Sequence, residues 1–258
     1  MSTKPRRLSE SGIYHITQRG VGRGIIYEDN DDRRVYLKLL QRIKRRYGFE
    51  LYAYCLMGNH NHLLMRFENT SMSHAMRDLG SSYASYFNEK YDRVGHLFEK
   101  RYGSKPVESE SHALCAVRYI LQNPARCGLA ESQDYPWSSY SDYVNTSPQG
   151  QGVHGLTDTA AMLGELGSGR QFKEFVETFD EADSKRFASW RRRGTIDDAE
   201  ASVMVANLLG VSNSMDVSGY DLSRRNTAVK QLSGLGLSPS QLARVTGLNR
   251  SAIYRALK

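Results

Sequence analysis

The chain has 258 residues, 40% of them hydrophobic, enough to bury the core of one mid-sized domain with a smaller unit beside it and to set disorder aside. Its 35 Lys and Arg against 28 Asp and Glu give a formal charge of +7, with basic clusters at Arg42, Lys44, Arg45 and Arg46 and at Arg191, Arg192 and Arg193; this suits a polyanionic partner, although a solvated helix face would account for either cluster alone. Cys55, Cys115 and Cys127 form no C-x-x-C pair, residues 1–10 are polar and basic, and no run approaches the ~20 apolar residues that span a bilayer, so a disulfide framework, a cysteine zinc site and a membrane partner are excluded and a cytoplasmic protein is expected.

In residues 12–17, Ile13, Tyr14 and Ile16 predict a strand, followed by a flexible turn at Gly20, Gly22 and Gly24 and a short apolar run over 25–27. Between 31 and 47, Val35, Leu39, Ile43 and Tyr47 recur every fourth residue with Tyr36 and Leu40 beside them, the spacing of an amphipathic helix whose other face carries the first basic cluster. Two strand-like runs, 50–57 and 60–67, flank the turn-prone Gly58-Asn59 pair and read as a hairpin. Residues 73–91 read as a helix, 97–107 as an extended segment, and 109–123 as a helix ended by Pro124. The order β-α-β-β-α-β-α predicts an α+β fold, a small antiparallel sheet of the ferredoxin-like type with helices packed against one face. From 145 to 152 the sequence turns polar and Gly-rich, the mark of a domain boundary. The expected organisation is a first domain over 1–145, a linker over 146–170 and a helical region over 171–258.

Side chains alternate across a strand, so His60 and His62 share one face while Asn61 and Leu63 share the other. Two neutral imidazoles at this spacing can supply two ligands to one divalent ion, and they need a third. Alone, such a pair is as often structural. On the helix before Pro124, Tyr119 and Asn123 lie one turn apart, in line with Cys115 and His112, whereas Ala113, Ala116, Val117 and Ile120 form the opposite, core-facing stripe. Periodicity by itself does not single out Tyr119 among the 16 tyrosines, most of which must be amphipathic residues at the edge of a core.

Five ordered blocks change that: Tyr14-His-Ile-Thr-Gln-Arg-Gly20, Met57-Gly-Asn-His-Asn-His-Leu-Leu64, Gly95-His-Leu-Phe-Glu-Lys-Arg101, Arg118-Tyr-Ile-Leu-Gln-Asn-Pro-Ala-Arg126 and Trp137-Ser-Ser-Tyr140. Together, over about residues 12–143, they resemble the IS200-like transposases, most closely their REP-associated tyrosine transposase branch. The resemblance implies the HUH single-tyrosine transposase fold, with His60 and His62 as the metal-binding pair and Tyr119 as the nucleophile. It implies Asn123 as the polar residue that completes the metal shell, with Gln122 a nearby competitor. Its implied cofactor is Mg²⁺ or Mn²⁺, and its implied partner is single-stranded or hairpin DNA of the REP type. Where the family usually has a hydrophobic or aromatic residue between the histidines, this chain has Asn61, whose side chain needs a hydrogen-bond partner at a cost of about 1–3 kcal/mol if none is present.

On that basis the Tyr119 phenol, with an ordinary pKa near ~10, loses its proton and attacks phosphorus. The products are a 5′-phosphotyrosine link and a free 3′-hydroxyl, and rejoining needs no ATP. A divalent ion on His60, His62 and Asn123 would polarise the non-bridging oxygens of the scissile phosphate, and manganese tolerates imidazole better than magnesium does. An exposed nucleophile on a helix implies a single-stranded substrate. Gln18, Arg19, Lys100 and Arg101 are candidates for DNA contact, with surface solubility as the equally weighted alternative for each.

Over 237–258, Ser238 is placed to cap a helix that has Pro239 at its first position. Thr246-Gly247-Leu248 makes a turn, and Asn249 caps a second helix. This predicts an all-α C-terminal helix-turn-helix unit with Ala243, Val245, Leu248, Ile253 and Leu257 in its core, leaving Arg250, Ser251, Tyr254, Arg255 and Lys258 to face a DNA groove. It looks like a DnaA-type or repressor-type DNA-binding tail, the alternative being an ordinary helical hairpin. Residues 171–222 look helical and carry no assignable motif.

The leading expectation is a metal-dependent DNA transesterase. Its main rival is a catalytically silent, sequence-specific DNA-binding regulator on the same fold. A replication initiator or relaxase would need a larger mobilisation region, and an RNA-cleaving ferredoxin-like toxin is more distant. Monomer and homodimer fit the sequence equally.

Overall fold

The computed structural model describes residues 7–68, 71–144, 153, 155–167, 169–178, 198–235 and 237–257. The first unit follows the expected order: β1 (Ile13–Arg19), α1 (Asn30–Tyr47), β2 (Glu50–Leu56), β3 (His60–Arg66), α2 (Met72–Lys90), β4 (Gly103–Val107) and α3 (Glu110–Leu121). The strands form one sheet in the order β2-β3-β1-β4, each neighbouring pair antiparallel. Local chemistry sets the elements. Helix α1 starts at a capping box, where the Asp29 carboxylate accepts from the Asp32 backbone N–H and Asp32 answers from its side chain, and it stops at Gly48, whose φ of 66° suits a residue without Cβ.

Alternation then divides the core in two. Tyr14, Ile16, Leu63 and Met65 pack against Tyr36, Leu37 and Leu40 of α1 and Met76, Leu79 and Tyr83 of α2. Ile13, Tyr52, Leu64 and Val107 point the other way and meet Ala113, Ala116, Val117 and Ile120 of α3. The expected α+β fold with a ferredoxin-like sheet and α1 and α2 on one face is what forms, and α3 adds cover on the opposite face. The strands require it: nearly every residue of β2 and β3 is buried, and a strand buried on both sides needs a layer on each.

Three details refine the expected elements. The extended segment over 97–107 forms a strand only over Gly103–Val107, with one isolated bridge from Phe98 to Gly20 upstream. Residues 25–27 form no strand, yet Ile26 and Tyr27 are buried because both backbone N–H groups donate to the Gly58 carbonyl, tying this loop to the β2–β3 turn. Pro124 does not end the helix outright; α3 breaks at Gln122 and a short α4 (Asn123–Arg126) begins, in which a residue lacking N–H is tolerated in the first turn.

Residues expected to be linker are partly structured. Beyond α5 (Tyr140–Val144) come α6 (Ala160–Leu166) and α7 (Gly169–Glu177), and Met162, Phe172 and Val176 join the α3-side core. Phe172 stacks on Tyr143 with ring centroids 4.0 Å apart. The boundary drawn between 170 and 171 is therefore corrected: both helices belong with the sheet unit, because their few apolar side chains find an aromatic surface that composition does not reveal. The polar run 145–152, the Arg191–Arg193 cluster and Lys258 lie outside the described residues.

The C-terminal unit contains α8 (Asp198–Leu209), α9 (Leu222–Gly234), α10 (Pro239–Thr246) and α11 (Arg250–Ala256), with its own core of Met204, Val205, Val229, Leu232, Leu242, Val245 and Ile253. Ser238 accepts from the Gln241 backbone N–H, Asn249 accepts from that of Ala252, and Gly247 turns the chain at φ 70°. Leu242 and Ala256 are buried more fully than the expected Ala243 and Leu257, while Arg250, Ser251, Tyr254 and Arg255 are exposed. Among the described residues no helix is long and apolar enough to cross a membrane.

Candidate active site

The α3-covered face of the sheet gathers the polar residues. In the β1–β3 register Arg19 lies opposite His60 and Thr17 opposite His62, and β1 places His15 opposite Lys105 of β4. His15, His60 and His62 are 2%, 3% and 4% exposed. His60 Nδ1 lies 2.6 Å from Asn59 Oδ1, which can only accept, so His60 carries its proton on Nδ1. His62 Nδ1 lies 2.8 Å from His15 Nε2, with the two ring planes within 5° of parallel. The Nδ1 atoms of the pair are thus taken, and Nε2 is the nitrogen that remains to ligate a cation.

Burial, reinforced by neighbouring charge, keeps these rings neutral. Loss of hydration and the Arg19 charge push the His62 pKa down to about 3. Burial, then His62 and Arg19, hold His60 well below its ordinary value, and burial, then His62 and Lys105, do the same for His15. Neutral imidazole is the form that binds metal. It also carries a cost in acid. A folded-state pKa below the unfolded value means that the unfolded chain binds more protons, so the full contribution to stability is present above about pH 6.5 and is lost progressively as pH falls toward the folded value. For His62 alone the loss between about pH 6.5 and pH 5 is about 2 kcal/mol. Urea unfolding of the metal-free protein should show at least that decline, and a flat profile would contradict the buried, neutral assignment.

Tyr119 of α3 faces this cluster. Its ring lies edge-on 6.0 Å from His62 and 6.2 Å from His15, and the Arg126 guanidinium carbon lies 5.4 Å from its centroid. The expectation of an exposed nucleophile is corrected: Tyr119 is 1% exposed. Helix α3 is covered on two sides, by the sheet and by α7, where Arg118 lies over Phe175 at 4.4 Å, so its buried stripe is wider than a helix on an open surface would have.

The two amides after Tyr119 differ. Gln122 has both ends engaged, Oε1 accepting from Arg126 Nε and Nη2 at 3.1 and 2.8 Å and Nε2 donating to the carbonyls of Val176 and Thr178 at 2.6 and 3.3 Å. Asn123 donates through Nδ2 to the carbonyls of Tyr119 and Ile120 at 2.8 and 3.3 Å, contacts that do not use its oxygen. Among the described residues no group of three or more His, Cys, Asp or Glu is arranged to hold a metal; the neutral donors on this side are the two imidazoles and the Asn123 amide oxygen. The donor set fits a divalent ion that accepts nitrogen and oxygen.

The DNA-contact candidates are not equivalent. Arg19 is on the histidine face, and Lys100 and Arg101 are exposed before β4. Gln18 is corrected: alternation turns it to the opposite face, where it is 5% exposed and its Oε1 accepts from Tyr36 Oη at 2.7 Å. Asn61 shares that network, donating to Tyr27 and Tyr36 Oη at 3.0 and 3.1 Å, while its Oδ1 has no partner among the described residues. Gln18→Leu should therefore cost about 1–3 kcal/mol in urea unfolding, by leaving the buried Tyr36 O–H without its acceptor, and leave DNA affinity unchanged. Weakened binding at unchanged stability would restore Gln18 as a contact. His15, Asn59, Lys105 and Arg126 are additions to the expected site; His15 stood in the Tyr14-His-Ile block, but only the strand register joins it to His62.

Residues 9–123 match the family model described as Transposase IS200 like. Over those residues the chain is similar to the IS200-like transposases. The match ends at Asn123, so α4 to α7 and the C-terminal unit extend beyond the IS200-like segment even though α7 shares its core. A solved structure of a REP-associated tyrosine transposase bound to a REP hairpin is similar at 18% identity, covering 62% of this chain and 96% of that one, with a TM-score of 0.49. No curated protein matches the chain.

Proposed function

We propose that this IS200-like protein is a divalent-metal-dependent transesterase that cleaves and rejoins single-stranded DNA at REP-like hairpins, as the REP-associated branch does, through a 5′-phosphotyrosine intermediate. The observation that carries the proposal is the Tyr119 ring 6.0 Å from His62, beside two buried imidazoles whose Nδ1 atoms are already bonded.

In this mechanism His60, His62 and Asn123 would hold Mg²⁺ or Mn²⁺, which would supply Lewis-acid polarisation of a phosphate oxygen. Arg19, opposite His60, offers its guanidinium to the same phosphate. The Tyr119 phenol gives up its proton as its oxygen attacks phosphorus, and the 3′-oxygen of the neighbouring nucleotide leaves with a proton. One phosphodiester replaces another, and the 3′-hydroxyl can reverse the exchange. Because Tyr119 is buried, its ring turns out past Arg126, or α7 yields, before phosphate reaches it; a flexible single strand enters such a recess at less cost than a stacked duplex. Lys100 and Arg101 extend the basic track, and Arg250, Tyr254 and Arg255 on the exposed face of α11 would contact a second DNA segment in the manner of a helix-turn-helix.

The test is a covalent protein–DNA adduct on a denaturing gel after incubation with labelled REP-type hairpin DNA and Mn²⁺. The 1% exposure of Tyr119 favours one rival, a silent DNA-binding regulator, which would bind the hairpin tightly and form no adduct.

A further inference from the structure

We propose that His15 is a positioning residue for the metal pair, accepting the Nδ1 proton of His62 and so fixing His62 in the tautomer whose Nε2 carries the lone pair. The inference rests on the proposed role of His60 and His62 as ligands. A neutral imidazole has one N–H, and whichever nitrogen holds it cannot ligate. At 2.8 Å, His15 Nε2 and His62 Nδ1 share one proton between them, and the two rings, within 5° of parallel, are aimed edge to edge. If His15 donated, the His62 proton would sit on Nε2 and block it. If His15 accepts, Nε2 is open.

His60 has the equivalent support in a different form. Asn59 Oδ1 can only accept, so it imposes one tautomer on His60 regardless of what is bound. The His15–His62 pair has two proton arrangements, and the one in which His15 accepts is in place before a cation arrives. Both rings are buried, so water is a poor substitute for the missing acceptor when His15 is removed. Outer hydrogen-bond partners of this kind tune metal affinity strongly.

The experiment uses the full chain without DNA, titrating Mn²⁺ and following the free ion by electron paramagnetic resonance. His15→Leu, which removes the acceptor, should weaken Mn²⁺ binding roughly 10–100-fold, whereas His15→Gln, whose amide oxygen reaches the same place, should stay within about threefold of wild type. Long-range ¹H–¹⁵N spectra of the metal-free wild type and His15→Gln should show His62 as the Nδ1–H tautomer, a readout that stands even if His15→Leu does not fold. Equal weakening in both variants, wild-type affinity in His15→Leu, or an Nε2–H signal for His62 in the metal-free protein would overturn the inference. Full Mn²⁺ affinity in a His60→Ala control would overturn the metal site itself, and the role of His15 with it.

Discussion

Tyr119→Phe abolishes the covalent adduct with labelled REP-type hairpin DNA in the presence of Mn²⁺, and adduct formation falls by at least about 10³-fold, as expected when the attacking oxygen is removed. The substitution deletes one hydroxyl and keeps the ring. That ring packs edge-on against His15 and His62 and under Arg126, so the fold and hairpin affinity should be kept. A comparable adduct in the phenylalanine variant would move the nucleophile elsewhere and remove the main support for the mechanism. Tight binding without adduct in either protein would instead identify a DNA-binding regulator that keeps the transposase fold.

His62→Ala comes next in expected effect. Removing one of the two imidazoles takes away a ligand and leaves the His15 Nε2 without its partner, so Mn²⁺ affinity should fall by more than the roughly 10–100-fold that losing an outer hydrogen-bond partner costs. Adduct formation should fall with it. Isothermal titration of Mn²⁺ into the metal-free protein checks the first effect, and the denaturing gel the second. Because Arg250, Tyr254 and Arg255 lie in a unit with a separate core, hairpin binding in low salt should persist in His62→Ala. Unchanged Mn²⁺ affinity would show that the cation is held by other residues.

Much of the molecule was legible without coordinates. Element order follows from periodicity, and the common face of His60 and His62 follows from the two-residue repeat of a strand, both properties of neighbours in the chain. The caps at Ser238 and Asn249 belong to the same class, since a side chain closes on a backbone N–H three residues away. The exposed face of α11 was legible for that reason too.

Tertiary structure decided what depends on distant partners. Gln18 and Arg19 are neighbours with similar prospects on paper, and packing against α1 and α2 buries one while the β3 register sets the other opposite His60. Gln122 and Asn123 are neighbours as well, and α7, more than 45 residues downstream, engages the Gln122 amide through the Val176 carbonyl, a bond spanning 54 residues. The burial of Tyr119 has the same origin, in a helix covered by both a sheet and a later helix. The His15–His62 bond spans 47 residues and exists only because β1 lies beside β3 in one register, where a shift of one residue would turn His15 to the other face. Periodicity and caps are local and therefore written in the sequence, whereas register and two-sided burial are agreements between segments that meet only when the chain is folded.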